Sequence, residues 1–382
     1  MQSLRLHPHE IPHGVSNLIR IIPAEEGMKF NKTISLTISI VLCLFAATGC
    51  NSKKAASSET SSSQTVSPER LKEVVVYTYD SFAGEWGPGP ELTQKFEAKT
   101  GYKLTLVDCG DSIQAFNRAV LEKEAPQADV IIGIDNNLAE QARASGILAE
   151  YEPKNASSII DENLRKALGN DNLLTPYDYS HFALIYDTQS SVPAPKSLEE
   201  LVKDTYKKKI ILMDPRTSTP GLGFLAWTVS VFGNGYEDYW KQLKSNILTM
   251  TSGWSEGWGM FMNGEAPLVI SYTTSPAYNV EYEDNDRFAA LVFDEGHVQQ
   301  VEGYGLLKGA QNAEGAKVFM DYLITEEAQG ILPLTQWMYP VNKNIALPES
   351  YKKAAPIPEK TLTTDADATE KAVSVIQSLF AQ

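Results

Sequence analysis

The stretch MDPRTSTPGLGFLAW, Met213 to Trp227, joins an apolar strand to an apolar helix through a turn of hydroxyl side chains. Ile210 to Met213 reads as a buried strand, and Leu222, Phe224, Leu225 and Trp227 read as one helix. Between them Thr217, Ser218 and Thr219 offer hydroxyls and backbone N–H groups. Pro220 suits the first turn of a helix, and Gly221 and Gly223 would let a ligand approach the backbone. A helix start carries unpaired donors and the positive end of the helix dipole, so this turn has the outline of an anion cradle. It is equally the outline of an ordinary N-capped helix after a proline turn.

Working outward, strand and helix patterns alternate on both sides. Val74–Tyr79, Tyr102–Val107 and Ala128–Ile134 read as strands, and 90–99, 112–123 and 136–145 as helices. A second set adds strands at Phe182–Tyr186 and Leu268–Tyr272, with a helix at Ser197–Tyr206 whose Ser197 and Glu200 form a capping box. Alternation of this kind predicts an α/β fold with a mostly parallel sheet covered on both faces. Polar and aromatic residues gather at the carboxyl ends of the strands, where open α/β sheets bind ligands. Tyr77, Tyr79, Asp80, Ser81 and Trp86 follow the first strand, Asp111 the second, and Asp135, Asn136 and Asn137 the third. Trp254 and Glu256, the run Ser271 to Tyr278, and Trp337 to Pro340 come later. One such aromatic is ordinary packing. The set suggests a flat, cationic ligand held by ring faces and acidic groups.

Composition narrows the classes. The 382 residues are 43% hydrophobic and carry a formal net charge of −15, which predicts about two domains and argues against nucleic acid as a partner. Met28 to Cys50, MKFNKTISLTISIVLCLFAATGC, has a basic start at Lys29 and Lys32, a short apolar run to Leu44 and small residues before Cys50. It resembles a bacterial lipoprotein signal, which implies cleavage before Cys50 and a lipid on that residue. Residues 1–27 read as an upstream extension of the reading frame, 28–49 as the signal and 50–70 as a flexible tether. Without residues 1–49 only His181, His297 and Cys109 remain of the His and Cys residues, apart from Cys50 itself, so no zinc site and no cofactor are expected.

Six blocks in order carry a resemblance that runs from about Val75 to about Leu347. They are YTYDSFAGEWGPGP (77–90), ADVIIGIDNNL (128–138), DPRTSTPGLG (214–223), GWSEGWG (253–259), SYTTSPAY (271–278) and WMYPV (337–341). Together they resemble the periplasmic thiamine-binding proteins of bacterial ABC importers, within the class that includes ferric-ion and polyamine binders. The resemblance implies a two-lobed periplasmic-binding-protein fold with two chain crossings and the ligand in the interlobe cleft. Lobe 1 is expected at 71–176 plus about 277–310, and lobe 2 at 177–276 plus about 311–382. The second crossing is expected at Tyr272 to Tyr278. Matched by motif, Asp111 with its neighbour Ser112, Ser218, Thr219, Trp254, Tyr272, Thr273, Thr274 and Ser275 are the implied ligand contacts. Tyr79, Trp86, Tyr278 and Trp337 are the ring-stacking candidates. Ser112 stands where the family pattern has glycine, and Trp258 where it has tyrosine.

The implied protein is an extracytoplasmic, lipid-anchored solute binder of the cell envelope, not an enzyme. Its implied partners are thiamine, thiamine monophosphate, thiamine diphosphate and the permease subunits of an ABC transporter. Two alternatives stand beside it. A binder of another organic cation or of ferric ion would share the fold, and an enzyme acting on thiamine phosphates could use Ser218 or Ser255, or the carboxylates Asp80 and Asp111. Neither a placed base nor a metal set accompanies those residues. The anchoring expectation is tested by Cys50→Ser, which should release the protein from membranes or block processing. A variant that stays membrane-bound, with uncleaved wild type as the main species, would instead make the segment a signal anchor.

Overall fold

The computed structural model describes residues 67–283 and 285–381. Residues 1–66, where the signal, the Cys50 lipidation site and most of the tether are expected, lie outside the described residues. Nine of the twelve strands among the described residues organise the fold, the other three being two-residue pairings: β1 (Glu73–Thr78), β2 (Lys103–Asp108), β3 (Val130–Asp135), β4 (Thr175–Asp187), β5 (Ile210–Met213), β6 (Ile247–Thr251), β7 (Leu268–Tyr272), β8 (Phe288–Ala290) and β9 (His297–Leu307). The main helices are α1 (Gly89–Thr100), α2 (Ser112–Leu121), α3 (Thr219–Phe232), α4 (Trp254–Met262), α5 (Ala313–Leu323) and α6 (Ala366–Phe380). The sheet order is β2-β1-β3-β9-β4-β7-β5-β6. The flanks are parallel, β1 with β2 and β3, and β5 with β6 and β7, as the alternating pattern predicts. The middle is antiparallel. β9 pairs with β3 and β4, and β4 pairs with β7.

Two hydrophobic cores form on this sheet. The first gathers Val76, Phe82, Phe96 and Ile131, and the second Phe182, Ile211, Phe224 and Trp227. The 13-residue β4 spans both: Thr175 to His181 pair with β9 over the first core, and Phe182 to Tyr186 pair with β7 over the second. β9 makes the return, from Val298 in the second core to Tyr304 and Leu306 in the first.

The passage of β9 corrects the expected division of the chain. Phe288 and Phe293, just before β9, pack in the second core, whereas Phe319, Met320, Leu323 and Val341, beyond it, pack in the first. The tail then goes back, and Ala372 and Ile376 of α6 pack in the second core. The return strand is therefore 297–307, whereas 272–278 turns away. Ala277 packs with Tyr339, Tyr351 and Ala355 in a small third cluster. β9 escapes a pattern reading because Gly303 and Gly305 interrupt its apolar alternation. Both glycines permit close packing: a Cβ at Gly303 would lie 2.5 Å from Leu168, and one at Gly305 2.8 Å from Leu148.

The helix expected at 197–206 is instead two short 3₁₀ turns, Glu199–Val202 and Asp204–Tyr206. The side-chain amide of Asn246 donates to the carbonyls of Leu201 and Lys203, competing with helix propagation. The Ser197 hydroxyl does accept from the Glu200 N–H, at 3.2 Å.

Gly221 and Gly223 serve packing and not ligand approach. A Cβ on Gly221 would fall 2.4 Å from the Met213 carbonyl oxygen, and one on Gly223 would fall 2.1 Å from the Phe182 ring. They let α3 lie directly on β5 and β4. Gly221→Ala is expected to destabilise the protein by about 1–3 kcal/mol in chemical denaturation, since backbone meets the new methyl. Gly259→Ala in α4, where a Cβ meets nothing within 4 Å, is expected to be neutral or stabilising by up to about 1 kcal/mol. Equal effects at the two positions would contradict this packing account.

Candidate functional site

Asp111 follows β2 and caps α2, accepting the Ser112 N–H at 2.7 Å. The same carboxylate reaches the other core. Its Oδ1 accepts the Thr219 N–H at 3.2 Å and its Oδ2 accepts the Trp254 N–H at 3.1 Å. Thr219 and Trp254 are the first residues of α3 and α4, so three helix N-termini converge on one carboxylate. Their dipoles and N–H groups favour a negative charge at that point. Gly253 keeps the approach open, since a Cβ there would stand 3.3 Å from Asp111 Oδ2. The anion cradle suggested by the sequence thus exists, and it holds a carboxylate of this chain. Ser218 caps α3 with its backbone, while its fully buried hydroxyl lies beside Asp111 without a bond of good geometry. Burial pushes the Asp111 carboxyl up to about 6, against the pull of the Ser218 hydroxyl and the three N–H groups. A second bridge joins the cores: the Ser255 hydroxyl donates to Asp80 Oδ1 at 2.9 Å.

The aromatic candidates separate into groups. Tyr79 is buried; its hydroxyl donates to Glu302 at 2.8 Å and accepts from Gln336 Nε2 at 2.5 Å. The Trp254 indole donates to the Ser271 hydroxyl at 2.8 Å and stacks on Trp258 with centroids 5.5 Å apart. Tyr272 is half-buried against Phe182 and donates to Gln300 at 2.9 Å. Tyr278 meets Trp337 edge-on at 5.4 Å. Trp337 has a φ of +57°, a left-handed conformation that costs a non-glycine residue about 1–3 kcal/mol and is concentrated at functional sites. Trp86 is different: it is 87% exposed and stands apart from the other rings.

The predicted hydroxyls are mostly engaged in building the turn. Ser180 bonds Thr273 at 3.3 Å and Thr274 at 3.1 Å, and Ser271 bonds Ser275 at 2.8 Å. Thr273, Thr274 and Ser275 are all buried, so they shape the end of β7 more than they face a cleft. Ser112 is buried under Gly133, whose φ of +119° and missing Cβ let Ser112 and Tyr79 come together. His181 bonds Thr361 and His297 bonds the Phe182 carbonyl; burial lowers both, His181 to about 4.

Sequence reasoning named Asp111 and Asp135 but missed Asp178 and Glu302, which complete an acidic floor. Strand register sets Glu302 opposite Asp135 on one side and Asp178 on the other. All three are buried, at 4%, 0% and 0% exposure. Burial pushes Asp135 up to about 6 and holds Asp178 and Glu302 well above the usual carboxylate range. The available signal was a single acid inside each apolar strand run, Tyr177-Asp178-Tyr179 and Val301-Glu302-Gly303. Such an acid has no reason to be there unless it faces something other than water.

Residues 91–359 match the model of a family described as bacterial extracellular solute-binding protein. A thiamine-binding periplasmic protein of Brucella abortus is 43% identical over 293 residues, covering 76% of this chain and 85% of that protein. Its Escherichia coli counterpart is 40% identical, covering 73% and 84%. A solved periplasmic thiamin binding protein superposes with a TM-score of 0.76 at 38% identity, over 81% of this chain and 96% of that one. A ferric binding protein from Campylobacter jejuni, 20% identical with a TM-score of 0.66 over 80% of this chain and 99% of that one, shares the fold. With a family model spanning most of its length and relatives of this similarity, the chain belongs to the bacterial extracellular solute-binding proteins.

Proposed function

We propose that this solute-binding protein captures thiamine, and its mono- and diphosphate, between the two cores and delivers it to the permease of an ABC importer, held at the membrane by a lipid on Cys50. The observation that carries the reading is a buried acidic floor, Asp111, Asp135, Asp178 and Glu302, flanked by Tyr79, Tyr272 and Trp254. Among the described residues no Lys or Arg is paired with any of the four. Rings and carboxylates without a cation of their own suit a flat positive heterocycle. The likeness to proteins named for thiamine binding points the same way. Asp111 already bridges to α3 and α4, and a closed form held by this contact is what a permease would recognise. Ser218 and Thr219 are the proposed phosphate contacts, and Tyr278 and Trp337 a further aromatic wall. Catalysis has no support from the histidines, since His181 bonds Thr361 and His297 bonds the Phe182 carbonyl.

Calorimetry on refolded, delipidated protein tests the ligand class. Thiamine should bind one to one, with spermidine and ferric citrate weaker by about a hundredfold or more. Equal or tighter binding of either competitor would overturn the reading, and turnover of thiamine phosphate would make the protein an enzyme.

The pH dependence comes from the floor. Asp111 and Asp135 have folded values near 6, above their unfolded value, so the native protein holds extra protons between about pH 4 and pH 6. Their contribution to unliganded stability therefore falls as pH rises through 6, while the attraction for a cation grows over the same range. Affinity for thiamine should increase from about pH 5 to about pH 7.5. A decrease would contradict the acidic floor as the cation site.

The turn is tested separately. Ser218→Ala with Thr219→Val should weaken thiamine phosphate more than thiamine, by about 1.5–3 kcal/mol for each lost bond to a charged group. Equal losses for both ligands would mean that the turn positions the shared rings.

A further inference from the structure

Asp135, Glu302 and Asp178 occupy one rung across β3, β9 and β4. Directly opposed residues on neighbouring strands project from the same face, so three carboxyl groups stand side by side. Two of the three have donors. Asp135 accepts from the N–H groups of Asn137 and Leu138 and from the Asn137 side chain, and Glu302 accepts from the Tyr79 hydroxyl. Asp178 has none: it is fully buried, and neither of its carboxylate oxygens has a hydrogen-bond partner among the described residues. A buried ionised carboxylate without donors is strongly disfavoured, and two carboxyls in adjacent register cannot both ionise cheaply.

The surroundings do not supply the missing charge. Glu302 and Asp135 face Asp178 from the neighbouring strands, and Asp111 adds to the field on Glu302. The phenols near Asp178 are Tyr79, Tyr272, Tyr351 and its chain neighbour Tyr177. Three of these spend their protons elsewhere: Tyr79 on Glu302, Tyr272 on Gln300, and Tyr351 on the carbonyls of Pro333 and Met338. Asp111 is already compensated by three helix N-termini, which leaves Asp178 as the acceptor with open capacity. It lies near Tyr79, which comes after β1 of the first core, and Tyr272, which ends β7 of the second.

We propose that Asp178, with Glu302 beside it, is the counter-ion for the quaternary ring of the ligand, and that the empty protein carries on this pair a proton which the ligand's charge displaces into solvent. This rests on the thiamine reading and adds the group that takes the charge and the proton released. One positive charge enters and one leaves, so the floor keeps the same net charge in both states. A neutral ring of the same shape has no charge to exchange and is selected against.

Calorimetry of thiamine binding near neutral pH, in two buffers of different ionisation enthalpy, reads the proton directly. The wild type should release about one proton per thiamine. Asp178→Asn should bind at least about tenfold more weakly and release none, while its unliganded melting temperature is equal or higher because the repulsion between two adjacent buried carboxyls is gone. Unchanged affinity with an unchanged proton count in Asp178→Asn overturns the proposal, as does weakened binding when the wild type releases no proton. If Asp178→Asn does not fold, Glu302→Gln takes its place, and persistence of full proton release in that variant overturns the shared-proton pair. A wild type that binds no thiamine overturns the functional reading instead. Melting temperatures of the unliganded proteins then decide the pair without a ligand. A fall from about pH 5.5 to about pH 8 in the wild type that Asp178→Asn reduces upholds it, and equal slopes overturn it.

Discussion

Beside the two shared strands and the Ser255–Asp80 bond, one carboxylate, Asp111, bridges the two cores. It leaves the first core at the end of β2 and receives N–H donors from the first residues of α3 and α4, both built on the second. Helix starts have donors that must be satisfied, and their partial positive charge stabilises an anion, so this contact draws the two halves toward each other. Burial opposes it by holding the carboxyl near 6. The joint between the cores is therefore sensitive to charge in a way that an apolar contact would not be.

The same opposition runs through the floor below. Four acidic groups share a buried space, and their mutual repulsion penalises the closed arrangement whenever they are ionised. Two remedies exist within ordinary chemistry, protonation or a cation. That couples the shape of the protein to the charge of its ligand. The helix starts hold the anion at the top, while the rung on β3, β9 and β4 demands a positive charge underneath. A ligand with a cationic ring answers the lower end of such a site.

Much of the scaffold was readable from local pattern. The strand-turn-helix at 210–227 and the apolar runs of β1, β3 and β7 announce themselves because neighbours in sequence decide them. The motif resemblance also pointed to Asp111, Trp254 and Tyr79. The antiparallel centre was not readable, since Gly303 and Gly305 hide β9 and its partners lie more than a hundred residues away. The acidic rung was hidden for the same reason: Asp135, Asp178 and Glu302 are ordinary singly and become a set only through strand register. Trp86 differs from its motif neighbours. Tyr79 and Asp80 bond Glu302 and Ser255, whereas its own ring is left in solvent. Hydroxyls such as Thr273 and Thr274 matched the motif yet serve the turn, because a buried hydroxyl takes the nearest partner and here that is Ser180.

The central claim is that a cation offsets the repulsion among these carboxylates and so closes the two cores on each other. Small-angle scattering near pH 7.5, with and without saturating thiamine, measures this most directly. The account predicts a smaller radius of gyration for the liganded protein. A radius unchanged by saturating thiamine would contradict it.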